Sequence, residues 1–89
     1  MTAAERREQA RAKFTALGSR MFHLSERLAK AGYRELAKSV QAAGKSAERG
    51  DLPAARAELK AASSTAELNG LAGAAARIDV LEEQLEGGN

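Results

Sequence analysis

The chain has 89 residues, which is enough for one domain at most and is near the lower end of what folds alone. Twenty-one residues are alanine, the formal net charge is only +2, and there is one histidine and no cysteine. This composition excludes a disulfide framework and a thiolate metal site, and the low net charge with helical periodicity argues against disorder.

The first predicted helix runs from about residue 3 to residue 31. Its apolar residues recur at spacings of three and four over four heptads, which is typical of the a/d seam of a coiled-coil-like helix. The seam consists of Ala3, Ala10, Phe14, Leu17, Met21, Leu24, Leu28 and Ala31, and only Arg7 interrupts it. Gly32 fits the position just past the end of this helix.

The second predicted helix covers about residues 33–49, and a tight turn follows it. Its apolar stripe is Tyr33, Leu36, Val40, Ala43 and Ala47. In the next segment Gly50 can take the left-handed cap, Asp51 can cap the following helix, and Pro53 is tolerated in a first helical turn. The sequence therefore predicts a helical hairpin here.

The last predicted helix, about residues 52–86, carries two apolar stripes that are out of phase. The first stripe is Leu52, Ala55, Leu59, Ala62 and Ala66, and the second is Leu71, Ala74, Ile78, Leu81 and Leu85. Either one helix bends between residues 63 and 70, or it ends there, near Asn69-Gly70, and a fourth helix begins.

The charge pattern favours the first of these alternatives. Residues 1–34 carry a net charge of +5, and residues 61–89 carry −4. Basic residues occupy the g positions of the first helix (Arg6, Lys13, Arg20 and Arg27), and acidic residues surround the e position of the last (Asp79, Glu82, Glu83 and Glu86). Such g-to-e pairing joins parallel helices, and the first and last helices are parallel only in an up-down-up bundle. We therefore predict an all-α, antiparallel three-helix bundle in a single domain, residues 1–89, with Arg20 and Arg27 paired to those acids within the chain or across a dimer.

A candidate interaction face combines the g stripe with Phe22, and comprises Arg6, Lys13, Arg20, Phe22 and Arg27. Phe22 lies outside the seam beside the small residues Gly18 and Ser25, which predicts a second close contact, either inside the bundle or between copies. The basic stripe can meet the acidic segment of its own chain, a partner protein or nucleic acid. The lack of interleaved aromatic residues disfavours nucleic acid.

His23 is predicted to face solvent. The layout that follows it, Gly32, Leu36 and then Gly50-Asp51, is loosely similar to histidine phosphotransfer domains, and this resemblance implies a phosphorylatable histidine. The residues just after His23 lack the lysine and glycine of that motif. The sequence therefore favours an ordinary surface histidine.

We predict no catalytic, cofactor-binding or metal-binding residues, and hence no enzyme. The favoured function is a small helical interaction module: an adaptor, an inhibitor or a chaperone-like protein. The alternatives are a degenerate phosphotransfer bundle using His23 and weak nucleic-acid binding through the basic face of the first helix.

We expect a protein partner or a homodimer, because the second helix cannot cover the seam of a first helix nearly twice its length. The sequence shows neither a signal peptide nor a membrane span, which predicts a cytoplasmic protein.

Overall fold

The structure, a computed structural model, describes residues 2–86 and consists of four α-helices in that range. They are α1 (Ala3–Lys30), α2 (Arg34–Glu48), α3 (Leu52–Leu68) and α4 (Ala72–Glu86). Consecutive helices pack against each other, and α4 also contacts α1, so the four close into an up-down-up-down bundle. The all-α prediction is confirmed, with no strand among the described residues. No helix of residues 2–86 has the length and apolar character needed to cross a membrane.

The prediction of three helices is wrong, because residues 69–71 form a complete turn. Gly70 has a φ of +73°, which glycine adopts without strain. Its N–H donates to the carbonyl of Glu67 at 3.0 Å, and the N–H of Leu71 donates to the carbonyl of Ala66 at 2.8 Å. These two bonds define a Schellman cap, which ends α3 and reverses the chain. The out-of-phase stripes mark this turn, and the single helix at 52–86 is two helices.

Most residues of the predicted apolar stripes form the core of the bundle, but Ala3, Ala10, Ala31 and Tyr33 are exposed. The largest fully buried side chains, Met21, Val40, Leu59 and Ile78, come one from each helix. Five alanines around them have no exposed surface: Ala43, Ala47, Ala55, Ala62 and Ala66. Because alanine side chains are short, neighbouring helices approach closely, and few large side chains fill the interior.

The closest approach of α1 and α2 is at two facing glycines. A Cβ atom built on Gly18 would lie 3.1 Å from the carbonyl oxygen of Gly44, and one built on Gly44 would lie 3.2 Å from that of Gly18. Two turns further along α1, Ser25 is buried and its hydroxyl donates to the Phe22 carbonyl at 2.7 Å. The close contact predicted beside Phe22 is therefore inside the bundle, between α1 and α2.

The first ten residues of α1, residues 3–12, form an N-terminal extension in which every residue is exposed. Gly18 lies beside Glu48, the last residue of α2, so α1 continues beyond the end of its neighbour. A helix of 28 residues is about 42 Å long, and α1 accounts for the long dimension of the molecule, 46 Å. The extension is the part of α1 that α2 leaves uncovered.

Asp51 caps α3 as its position in the sequence predicts. Its carboxylate accepts a hydrogen bond from the backbone N–H of Ala54 at 3.3 Å. We expect Asp51→Ala to lower the free energy of unfolding by about 1 kcal/mol, because that N–H loses its acceptor. Urea denaturation followed by circular dichroism measures this, with Asp51→Asn as the control that keeps an acceptor. An asparagine variant as unstable as the alanine variant would show that the capping bond is not the cause.

Candidate functional site

The basic stripe of α1 lies beside α4. The side chain of Arg20 donates to the Oε1 atom of Gln84 at 3.2 Å. Lys13, which is half-buried, lies at the same place, next to Arg20 and Gln84. Arg27 lies farther along α1, opposite Arg77 of α4. Three of the predicted face residues, Lys13, Arg20 and Arg27, thus lie along one seam between two antiparallel helices.

This seam is open as a shallow groove, which we call the α1–α4 groove. It exists because α4 packs on α1 over fewer residues than it packs on α3. The groove is lined by Arg20, His23, Leu24, Arg27, Arg77, Val80, Leu81 and Gln84, and it continues past Arg20 to Lys13. Its base is apolar: Leu24 and Leu81 are buried, and Val80 remains 51% exposed.

The α1–α4 groove has four arginine or lysine side chains along it, and none of the described residues that line it is a carboxylate. The ion pairs found within residues 2–86 all lie elsewhere, on α2 or between α3 and α4. The groove is therefore a locally positive surface over an apolar base, on a chain whose overall charge is close to zero.

Within the chain, the predicted pairing of Arg20 and Arg27 with Asp79, Glu82, Glu83 and Glu86 is wrong. In the four-helix bundle these acids, apart from the exposed Glu83, point to α3 and not to α1. Glu82 pairs with Lys60 and Glu86 pairs with Arg56, each at 3.8 Å, and Asp79 accepts a hydrogen bond from the buried Ser63 at 2.6 Å. The extra turn makes α4 antiparallel to α1, so the parallel g-to-e geometry on which the prediction depended does not exist.

The other two residues of the predicted face lie apart from the groove. Arg6 is exposed on the N-terminal extension, two helical turns beyond Lys13. Phe22 is half-buried and lies on the opposite side of α1, in a second groove between α1 and α2. That second groove has mixed charge, since Glu26 lines it together with Arg34. The structure therefore brings together Lys13, Arg20 and Arg27 but not the whole predicted face.

His23 is exposed and lies within the α1–α4 groove, one turn from both Arg20 and Arg27. Its ring thus shares the groove with the side chains of Arg20, Arg27 and Arg77. Among residues 2–86 no three His, Asp or Glu side chains are placed to hold a metal ion together.

Arg77 and Val80 are site residues that the sequence prediction missed. A signal for them exists in the spacing of Arg77, Val80 and Gln84, which marks one face of α4 distinct from its core stripe. Arg77 is also the only cation after Lys60. That face can be assigned to the groove only once α4 is known to lie antiparallel to α1.

Comparisons with protein-family models, with curated proteins and with solved structures found no match to this chain.

Proposed function

We propose that this protein is a non-catalytic interaction module that binds another protein at the α1–α4 groove. One observation carries the proposal: cations from two helices line an apolar groove, while Glu82 and Glu86 of α4 pair with α3. Exposed cations along a groove steer and orient an acidic partner, and exposed apolar surface beside them adds affinity. An adaptor or an inhibitor needs only such a surface.

A protein partner suits the groove better than a small substrate or a nucleic acid does. Small-molecule sites enclose most of their ligand, whereas this groove is shallow and open along its length. Single-stranded nucleic acid is bound by stacking on aromatic platforms, and no Phe, Tyr or Trp lines the groove. A phosphate backbone would make no apolar contact with the exposed side chain of Val80.

The proposal predicts that reversing the groove charges abolishes partner binding. We expect Arg27→Glu/Arg77→Glu to lose the partner that co-purifies stoichiometrically with the tagged chain from its native host, because like charges then face it. The control is Lys38→Glu/Lys45→Glu, which changes the net charge equally on exposed positions of α2, a helix that does not touch α4 within the described residues. Retention of the partner by the groove variant, with circular dichroism showing an intact fold, would contradict the proposal.

A second candidate function is phosphotransfer on His23. It is favoured by the exposure of that histidine between Arg20 and Arg27, since guanidinium groups stabilise a phosphoryl group. Uptake of the phosphoryl group itself distinguishes the two functions: a phosphotransfer protein accepts it on His23 from acetyl phosphate, with release of acetate and a mass increase that His23→Ala abolishes, whereas an interaction module shows no such increase.

Nucleic-acid binding through the basic face of α1 is the third candidate. It requires retention on a heparin column at physiological salt, because phosphate contacts weaken steeply as salt rises.

Self-association belongs to the same proposal. The N-terminal extension is an exposed helix with interspersed charges, among them Glu5, Arg7 and Glu8, and such a helix can pair with a second copy. Sedimentation of the whole chain at micromolar concentration tests this, and a folded monomer throughout that range would rule out a stable dimer.

A further inference from the structure

We infer that the occupant of the α1–α4 groove is an acidic amphipathic α-helix. This inference rests on the proposed function, and it adds the shape, the charge and the approximate length of the segment that is bound.

The spacing of the groove cations matches the repeat of a helix. Lys13, Arg20 and Arg27 recur every seven residues on α1, so their Cα atoms are about 10.5 Å apart and span about 21 Å. A second helix laid along α1 presents side chains at the same interval, with a drift of only about 20° per heptad. Three heptads with one or two carboxylates each would therefore place an acid opposite every cation.

The apolar base of the groove matches the other face of such a helix. Leu24 and Leu81 lie at the bottom, and Val80 is 51% exposed at the α4 edge. Amphipathic helices bind in grooves through apolar anchors at spacings of three and four. A leucine or isoleucine of the partner would cover Val80, while Arg77 and Arg27 on opposite sides of the groove would contact the flanking acids.

A second copy of this chain suits the groove less well. Its acidic helix is α4, and two carboxylates of α4, those of Glu82 and Glu86, are already paired with α3. Offering them to a neighbouring molecule would break those contacts. The partner helix is therefore expected to come from a different protein.

The test uses a synthetic peptide of three heptads, about 20 residues, with leucine at a and d and glutamate at e and g. A matched peptide carries lysine in place of every glutamate. We expect the whole chain to bind the glutamate peptide, measured by fluorescence anisotropy, and not the lysine peptide. Binding should weaken at least about tenfold with Arg27→Glu/Arg77→Glu, and likewise with Val80→Asp, which places a carboxylate on the apolar base. The control variant Lys38→Glu/Lys45→Glu should leave it unchanged.

Three kinds of result would overturn the inference. One is failure of the groove to bind the peptide, seen either as no binding of the glutamate peptide or as binding that the groove variants leave unchanged. Another is tighter binding of a labelled DNA duplex that the same variants abolish, which would make the occupant a nucleic acid. The third is a dimer of the whole chain that Val80→Asp dissociates, which would make it a second copy.

The fate of the natural partner separates this inference from the proposed function. If the peptide fails but capture of the partner still depends on Arg27 and Arg77, only the acidic helix is wrong. If capture does not depend on them, the proposed function itself fails.

Discussion

Leu59→Ala is expected to lower the free energy of unfolding by about 2–5 kcal/mol. Leu59 has no exposed surface and lies in the middle of α3, within the core of the bundle. Total stability for a chain of this length is about 4–13 kcal/mol, so the loss is a large fraction of it. Many of the buried residues are alanines, which have no side-chain rotamers with which to fill a cavity. We therefore expect the loss in free energy of unfolding, measured by urea denaturation, to fall in the upper half of that range.

The matched control for Leu59→Ala is Leu68→Ala, in the same helix. Leu68 is 89% exposed at the end of α3, so its truncation removes almost no buried contact. We expect a change within about 0.5 kcal/mol. Equal losses in the two variants would show that α3 does not bury its predicted stripe.

The core could be predicted from sequence because it depends on local periodicity. Spacings of three and four place Met21 with Leu24, and Ile78 with Leu81, on one face of a helix whichever neighbour covers that face. The structure buries all four. The end of α2 and the start of α3 could also be predicted from local sequence, because Gly50 and Asp51 are themselves the residues that cap these two helices.

The number of helices could not be predicted correctly, because one local signal competed with one long-range argument. Asn69-Gly70 and the shift between stripes indicated a turn, whereas the opposite charges of the two chain ends indicated parallel helices. The charge argument failed because it assumed which helix lies beside the acids. Lys60 and Arg56 of α3 pair with Glu82 and Glu86 instead. The net charge of each segment does not show which cations pair with these acids.

Only the α1 side of the candidate site could be predicted from the sequence, because the α4 side depends on which helices are neighbours. The stripe of Lys13, Arg20 and Arg27 is a property of α1 alone, and the sequence shows it. Arg77 and Val80 join it only through the antiparallel contact of α1 with α4. A groove between two helices that are distant in sequence depends on topology, so the error in helix number concealed it.

Gly44→Leu is expected to lower the free energy of unfolding by about 2–3 kcal/mol, although leucine is the better helix former. A Cβ atom at Gly44 would already lie 3.2 Å from the Gly18 carbonyl oxygen and 3.3 Å from the Cβ atom of Met21. Both are atoms of the backbone or next to it, and they cannot rotate away. A leucine side chain must therefore separate α1 from α2, which exposes the core along their contact. Gly44→Ala should cost less, because alanine requires shifts of only a few tenths of an ångström.

Gly73→Leu is the control that isolates packing from helix propensity. Gly73 lies in the first turn of α4, and a Cβ atom there would meet nothing within 4 Å. The same substitution should be neutral or stabilise the protein by up to about 1 kcal/mol, since only the propensity gain remains. Opposite signs at the two glycines, measured by urea denaturation, would establish that the contact of Gly18 with Gly44 sets the distance between α1 and α2. A stabilising effect at both would mean that these helices are farther apart in solution, and that space rather than close contact surrounds Gly44.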